Sequence, residues 1–423
     1  MSNSYKVIMG GICAAKGFKA GGVYCGIKPS PTKDGNDGAT PAKNDLGLIL
    51  SDVLCNAAAV YTKNKFKAAP IYVTRSHMEE TGGKIRAVIV NSKNANCYPV
   101  GGKDSYEKAL KMCALTAGAV GAEPEQVLVS STGVIGQPLP IERIEEGMTR
   151  LVEGLSYTGN EAAATAIMTT DTYKKEVAIE FSLGGKVCRI GGMAKGSGMA
   201  HPNMATVLGF ITTDVAINSE MLQKALSENV NITFNCFSVD GDTSTNDMVI
   251  AMSSGLAGNA EIVAEGEDYD IFKEMLFTVM RDLTRMLAKD GEGATKLIEC
   301  VCEKAPALDT AIAVAKSVIS SNLFKCAIFG EDANWGRILC AVGYSDADFD
   351  VSDVDITISS CNGEIIVCQN SAGVDFCEVK AKEILSADEI VVTVSLNQGD
   401  YSGTAYGCDL TYDYVKINGD YRS

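Results

Sequence analysis

Histidine is almost missing from this chain: only His77 and His201 occur among 423 residues. A metal site built on three histidines is therefore excluded within one chain, and a hydrolytic triad has only these two to draw on. Any hydrolytic or acyl-transfer chemistry here calls for a different base. Long apolar runs are missing too. No stretch approaches the roughly 20 residues that a membrane-spanning helix needs. The start, Met1-Ser2-Asn3-Ser4-Tyr5-Lys6, has no charged leader followed by an apolar run. No membrane partner is expected, and the expected setting is cytoplasmic. Basic residues are outnumbered, 37 against 53 acidic ones, for a formal net charge of -16. Such a surface repels phosphate backbones, and no basic run with interleaved aromatics is expected to offset it, so no nucleic-acid partner is expected.

Cysteine is plentiful, with 15 residues, but scattered, and no Cys-x-x-Cys pair occurs. The closest spacing, Cys300-Val301-Cys302, is expected to be a poor metal clamp. Most of the others stand in apolar stretches, as buried reduced thiols do. Neither a metal nor a resident cofactor is expected.

The hydrophobic pattern mixes two periods. Residues 28–38 are a loop by composition. Residues 85–91 and 127–130 are short apolar runs that predict buried strands. Between them, Asp104 is placed to cap a helix carrying Tyr106, Leu110, Cys113 and Ala117 on one face. Pro140 suits a first helical turn with Ile141 and Ile144 inward. Asn218 or Ser219 caps a helix bearing Leu222, Ala225 and Leu226. Phe272, Met275, Leu276, Val279, Leu283 and Met286 mark a longer amphipathic helix, and 307–320 another. Residues 354–359, 389–396 and 410–417 predict strands. The expected fold class is mixed α/β: a layered helix–sheet core with a smaller strand-rich C-terminal domain, divided near 1–285 and 286–423.

One segment stands apart: Lys195-Gly196-Ser197-Gly198-Met199-Ala200-His201-Pro202-Asn203-Met204-Ala205-Thr206, followed by an apolar strand. Alone, it reads as a plain glycine-rich loop, and it lacks the spacing of a phosphate-binding loop. Its company changes that reading. Ser130-Ser131-Thr132-Gly133 follows a buried strand, and Asp240-Gly241-Asp242-Thr243-Ser244-Thr245-Asn246-Asp247 is a dense polar turn. Asp290-Gly291-Glu292-Gly293 follows the long helix, Trp335 is the only tryptophan, and the chain ends Asn418-Gly419-Asp420-Tyr421-Arg422-Ser423.

From about Lys63 to Ser423 these segments, in unbroken order, resemble the ornithine acetyltransferase (glutamate N-acetyltransferase) family of arginine biosynthesis. The resemblance implies autocatalytic cleavage between Ala205 and Thr206, giving an α chain, 1–205, and a β chain, 206–423. It implies Thr206 as the nucleophile that carries acetyl from N2-acetylornithine to glutamate. Thr132 and Gly133 match the oxyanion-hole pair. Thr169, Lys195, Thr206, Glu292, Asn418 and the C-terminal Ser423 match substrate-contacting positions, with serine replacing a common threonine. An α2β2 assembly is implied, and acetyl-CoA is a possible second donor. The residues accord with this chemistry. A threonine hydroxyl needs a neighbouring base, and cleavage frees an α-amino group of pKa about 7.7–8.0 on the same residue. Two other readings remain open at this point: an N-terminal-nucleophile amidohydrolase or aminopeptidase that passes the acyl group to water, and a non-enzymatic binding protein. Asp240, Asp242 and Asp247 are expected to form a hydrogen-bonded turn near the site rather than a calcium loop, because Thr245 stands where that loop requires glycine. Trp335 is expected to pack.

Overall fold

The computed structural model describes residues 4–29, 42–97, 103–201 and 207–420. Most of the expected loop at 28–38 lies outside them, as do Ala205, Thr206 and Ser423. The first strands are β1 (Tyr5–Val7), β2 (Phe18–Val23), β3 (Leu46–Tyr61), β4 (Lys84–Asn91), β5 (Val127–Ser131), β6 (Lys175–Leu183), β7 (Lys186–Lys195) and β8 (Leu208–Thr213). Next come β9 (Phe237–Ser238), β10 (Met248–Ser253), β11 (Leu297–Ala305) and β12 (Asp355–Ser360). The last are β13 (Gly363–Gln369), β14 (Ala372–Gly373), β15 (Glu389–Ser395) and β16 (Tyr401–Cys408).

They form two sheets. The larger runs β1-β6-β7-β8-β10-β3-β4-β5, with β2 added to β3; the other runs β14-β13-β12-β15-β11-β16-β9. Alternation along β10 shows why the larger sheet is covered on both faces. Val249 and Ala251 join the apolar cluster of helices Ser219–Asn231 and Glu267–Lys289. Met248, Ile250 and Met252 join the opposite cluster, which takes in Ala163, Ala164 and Ile167 of helix Asn160–Ile167. The cluster holding the long helix continues to Leu297, Tyr406 and Cys408 of the second sheet, so the two sheets share a core. The architecture is the mixed α/β arrangement expected. Among the described residues no single helix is long and apolar enough to cross a membrane.

Local signals hold where capping and periodicity agree. Asn218 caps its helix by accepting the Met221 amide at 2.8 Å, and Leu222, Ala225 and Leu226 are buried. Ile141 and Ile144 are buried as expected in helix Ile141–Glu153. Two expectations need correction. In helix Lys103–Val120 the inward stripe is Ala109, Met112, Cys113, Thr116 and Ala117, while Tyr106 and Leu110 face outward, because the neighbouring helix and sheet meet a face one residue round. Residues 410–417 form no strand. The place beside β11 is filled by β16, and helix Tyr412–Asp420 follows, started by Thr411, whose hydroxyl accepts the Asp413 amide. Cys300 and Cys302, two apart on β11, share its buried inward face. Burial pushes the Cys302 thiol up to about 12 and the Cys300 thiol well above the usual thiol range, so they behave as apolar core. Trp335 packs as expected, its ring so close to Gly373 that a β-carbon there would stand 2.3 Å away.

A chain of buried charge ties the sheet to the end of the long helix. Lys175, at the start of β6, lies 2.7 Å from Asp171 and 2.5 Å from Asp290, the residue that closes helix Glu267–Lys289. Burial pushes the Asp171 carboxyl up, but Lys195 and Lys175 outweigh it and hold the group below the usual carboxylate range. Its stabilising contribution is therefore present above the ordinary carboxylate pKa of about 4 and is lost as pH falls through the lowered value. Lys175→Met leaves two buried carboxylates without their cation and should cost about 3–5 kcal/mol. Urea unfolding at pH 7 reads that loss, and the gap from wild type should narrow in acid.

Candidate active site

Four strand ends meet in one row. Lys195, the last residue of β7, pairs with Leu208 at the start of β8; Leu208 pairs with Met248 at the start of β10; Met248 pairs with Tyr61 at the end of β3. The loops at this end of the sheet enclose a cavity of about 150 Å³. Six of the nine residues expected in a site line it: Thr132, Gly133, Thr169, Lys195, Glu292 and Asn418. Val207 also lines it, next in sequence to Thr206. The remaining three, Ala205, Thr206 and Ser423, lie outside the described residues.

Each lining residue has a local cause. β5 ends at Ser131, and the chain then interlocks with the segment after β4: the Thr132 amide donates to Asn91 and the Val134 amide to Lys93, both at 3.0 Å. Between them Gly133 adopts φ +129°, and a β-carbon there would lie 2.1 Å from the Lys93 carbonyl carbon. Only glycine fits. The glycine-serine-glycine loop after β7 is equally determined. The Gly196 amide donates to Asp171 at 2.9 Å, the Ser197 hydroxyl to the Asp290 carbonyl at 2.6 Å, and the Glu292 amide to the Ser197 carbonyl at 2.9 Å. Gly198 makes room for Glu292, whose Oε2 would stand 2.2 Å from an added β-carbon.

Lys195 is the electrostatic centre. It is buried, and its ammonium donates to Thr169 Oγ1 at 2.8 Å and Thr132 Oγ1 at 3.2 Å. An ammonium has no lone pair, so the Thr132 hydroxyl proton stays available for an oxyanion. Burial pulls the Lys195 ammonium below the ordinary lysine range, and the fields of Asp171, Asp247 and Glu292 oppose that pull. In the same cavity Glu292 accepts a hydrogen bond from Asn418 Nδ2 at 2.8 Å, bringing helix Tyr412–Asp420 to the site. The walls thus present a cation beside two hydroxyls, together with a carboxylate.

Neither histidine lines this cavity. His77 Nδ1 meets the Val127 carbonyl at 2.8 Å, and His201 Nδ1 meets Ser238 Oγ at 2.9 Å. Asp240 accepts the amides of Met199, Ala200 and Asp242 at 2.7, 2.8 and 3.1 Å, as a hydrogen-bonded turn requires. Asp247, at the end of that turn, also forms cavity wall, in keeping with a turn near the site, and its buried Oδ2 has no hydrogen-bond partner among the described residues. Asp171, Lys175 and Asp290 were missed altogether. No short-range pattern announces an ion chain that joins residues over a hundred positions apart.

A family model described as the ArgJ family matches residues 19–423. The chain is 48% identical over 406 residues to the arginine biosynthesis bifunctional protein ArgJ 1 of Clostridium acetobutylicum, covering 96% of each chain. It is 47% identical over 418 residues to the arginine biosynthesis bifunctional protein ArgJ of Caldanaerobacter subterraneus, covering 99% of this chain and all of that one. Among solved structures, it is similar to the arginine biosynthesis bifunctional protein of Bacillus halodurans, at 46% identity and a TM-score of 0.49, over 51% of this chain and 100% of that one. It is also similar to an ornithine acetyltransferase complexed with ornithine from Mycobacterium tuberculosis, at 33% identity and a TM-score of 0.41, over 48% of this chain and 100% of that one.

Asp247 generates a stability prediction. Burial pushes its carboxyl well above the ordinary carboxylate range, beyond what Ser244 and Lys195 restore. The folded state then holds this proton more tightly than the unfolded chain, so stability falls as pH rises from about 4 toward the raised value. Asp247→Asn removes that loss. The variant should melt above wild type at pH 7, and the advantage should vanish near pH 4 in paired thermal scans.

Proposed function

The chain belongs to the ArgJ family of arginine-biosynthesis enzymes, and on that footing we propose that it moves acetyl from N2-acetylornithine to glutamate through an acetyl ester on Thr206. The nucleophile is made by cutting the Ala205–Thr206 bond. The observation that supports this most directly is the presence of buried Lys195 and Glu292 in one small cavity at Val207. A cavity with both a cation and a carboxylate in its walls suits an amino acid, which carries both charges.

In the first step the Thr206 hydroxyl attacks the Ala205 carbonyl, the Ala205–Thr206 C–N bond breaks to free the threonine amine, and water then hydrolyses the resulting ester to release the Ala205 carboxylate and the Thr206 hydroxyl. An amide nitrogen cannot act as this base, whereas the amine can. In turnover that amine takes the hydroxyl proton as oxygen bonds to the acetyl carbon. The Gly133 amide and the Thr132 hydroxyl hold the developing oxyanion, and loss of one such donor typically costs about 2.7–4 kcal/mol. The amine returns the proton to departing ornithine. Glutamate then attacks the ester, and acetylglutamate leaves. Lys195 receives a substrate carboxylate beside Thr169, and Glu292 exchanges Asn418 for the ornithine ammonium. By the resemblance, Ser423 is a further substrate-contacting residue. The proposed product of cleavage is an α2β2 assembly of chains 1–205 and 206–423, working in the cytoplasm with no resident cofactor.

Intact-mass measurement and acetyl-transfer assays test this. Thr206→Ala should remain full length and inactive, while Thr206→Ser should still be cut. A β fragment beginning at any other residue overturns the assignment. Acetyl release from acetylornithine that proceeds equally without glutamate would instead mark a hydrolase. Lys195→Met should lower kcat/KM for acetylornithine by about 10- to 150-fold, the weight of a charged hydrogen bond of about 1.5–3 kcal/mol.

A further inference from the structure

Self-cleavage has a proton requirement that turnover does not. In turnover the Thr206 amine serves as base, but during the cut that nitrogen is still an amide and has no basicity to offer. It can leave as an amine only if a neighbouring acid protonates it while the C–N bond breaks. Neither histidine is placed for this, since both meet partners away from the cavity. The Lys195 ammonium is directed at Thr169 and Thr132.

One buried acid of the cavity wall takes no part in turnover. Asp247 is 4% exposed, and its Oδ2 has no hydrogen-bond partner among the described residues. The backbone around it is pinned. The Thr62 amide donates to the Asp247 carbonyl at 2.9 Å. Asn246, just before it, donates from Nδ2 to the Ser131 carbonyl at 2.9 Å, and Ser131 adjoins Thr132 and Gly133. Met248, just after it, donates its amide to the Val207 carbonyl at 3.0 Å, and Val207 adjoins Thr206. Asp247 is therefore tied on one side to the segment of the proposed oxyanion hole and on the other to the residue that follows the cut.

Such a carboxyl is a burden on the fold. A buried polar atom left without a partner costs about 1–3 kcal/mol. Burial raises the affinity of Asp247 for its proton, and Ser244 and Lys195 restore only part of the difference. No packing role offsets this, because an asparagine would fill the same space without the penalty. Costs of this kind gather where chemistry is done, and a carboxyl kept neutral can donate a proton that an ionised one cannot.

We infer that Asp247 is the general acid of self-cleavage, protonating the Thr206 nitrogen as the Ala205–Thr206 bond breaks. The inference rests on the proposed cut at that bond. As the Thr206 oxygen bonds to the Ala205 carbonyl carbon, the C–N bond breaks and the nitrogen takes the Asp247 proton. The carboxylate so formed takes the Thr206 hydroxyl proton, so Asp247 ends the step protonated, as it began. Water then hydrolyses the ester, and no other reactant is consumed. One carboxyl thus moves a proton from oxygen to nitrogen, which is the net change an N-to-O acyl shift requires.

Pulse–chase of the freshly translated full-length chain, followed on denaturing gels, reads the cleavage rate. Asp247→Asn keeps the side chain's shape and is expected to melt above wild type at pH 7, so slow cutting there is not a folding defect. It should cut about 100-fold more slowly, the lower end of what a positioned acid contributes. Asp247→Ala leaves space for a small acid. Sodium formate should speed its cleavage about tenfold over sodium chloride at equal ionic strength, and should do nothing for Thr206→Ala. Cutting of Asp247→Asn at the wild-type rate overturns the inference. So does an Asp247→Ala chain that is slow and indifferent to formate, because the side chain would then only fill space. Where Asp247→Asn fails to fold, the formate response of Asp247→Ala decides. In each of these failures, a wild-type β fragment that starts at Thr206 and exchanges acetyl leaves the proposed function standing. A wild-type chain cut at another bond removes the nucleophile assignment, and this inference with it.

Discussion

A lysine ammonium buried at the end of a strand, with hydroxyls rather than a carboxylate as its bonded partners, sets the terms for the rest of this site. Lys195 donates to Thr169 and Thr132, while Asp171, Asp247 and Glu292 act on it only through their fields. Removing a cation from water without a contact counter-ion is costly. The surrounding structure limits that cost without cancelling it: Asp171 is kept ionised by Lys175, and Lys175 is shared with Asp290. What remains is a positive wall that an incoming carboxylate stabilises. In the proposed function, that imbalance is what recognises an amino acid.

The same economy explains how the chain works with two histidines, neither of which faces the cavity. A base at the reacting atom can come from a side chain or be made from the backbone. The second route needs no extra titratable residue, but it does need a bond that cleaves in place and a cradle for the oxyanion. In the proposed mechanism Gly133 would supply part of that cradle, and its positive φ and its contact with the Lys93 backbone leave no room for a side chain. Thr132 would supply the rest, since Lys195 occupies its oxygen and leaves its proton free.

Much of this was legible in the sequence, and the parts that were not share a cause. Strands at 85–91 and 127–130 and the helix capped by Asn218 follow from local pattern, and the structure has them. Six site residues could be named because the family resemblance carries them, five in compact motifs and Thr169 outside any. Residues 410–417 misled because aromatic and β-branched composition suits a strand, yet whether a strand forms depends on a vacant sheet edge, which β16 fills. Helix Lys103–Val120 misled because Tyr106 and Leu110 extend its apolar stripe without facing the core. Asp247 could be placed in a turn near the site, but its exact position on the cavity wall depends on the register of β10 against β8. In each case the deciding neighbour is remote along the chain.

The position of the proposed cut answers a final mechanical question. Thr132, Gly133, Thr169 and Lys195 precede it, while Asp247, Glu292 and Asn418 follow it, so a cleaved protein must keep two fragments in register to a fraction of an ångström. The cut falls between β7 and β8, which are hydrogen-bonded neighbours from Ile190↔Thr213 to Lys195↔Leu208. β10, beyond the cut, also pairs with β3, before it, from Met248↔Tyr61 to Ser253↔Asn56. Asn246 adds side-chain bonds to the Ala95 and Ser131 carbonyls at 2.6 and 2.9 Å. Strands contributed by one fragment are therefore zipped on two sides to strands of the other, within one core. Severing the connection removes a covalent tether whose ends the sheet already holds. A central sheet shared across the scission lets the backbone be spent on making a catalyst without loosening the site that uses it.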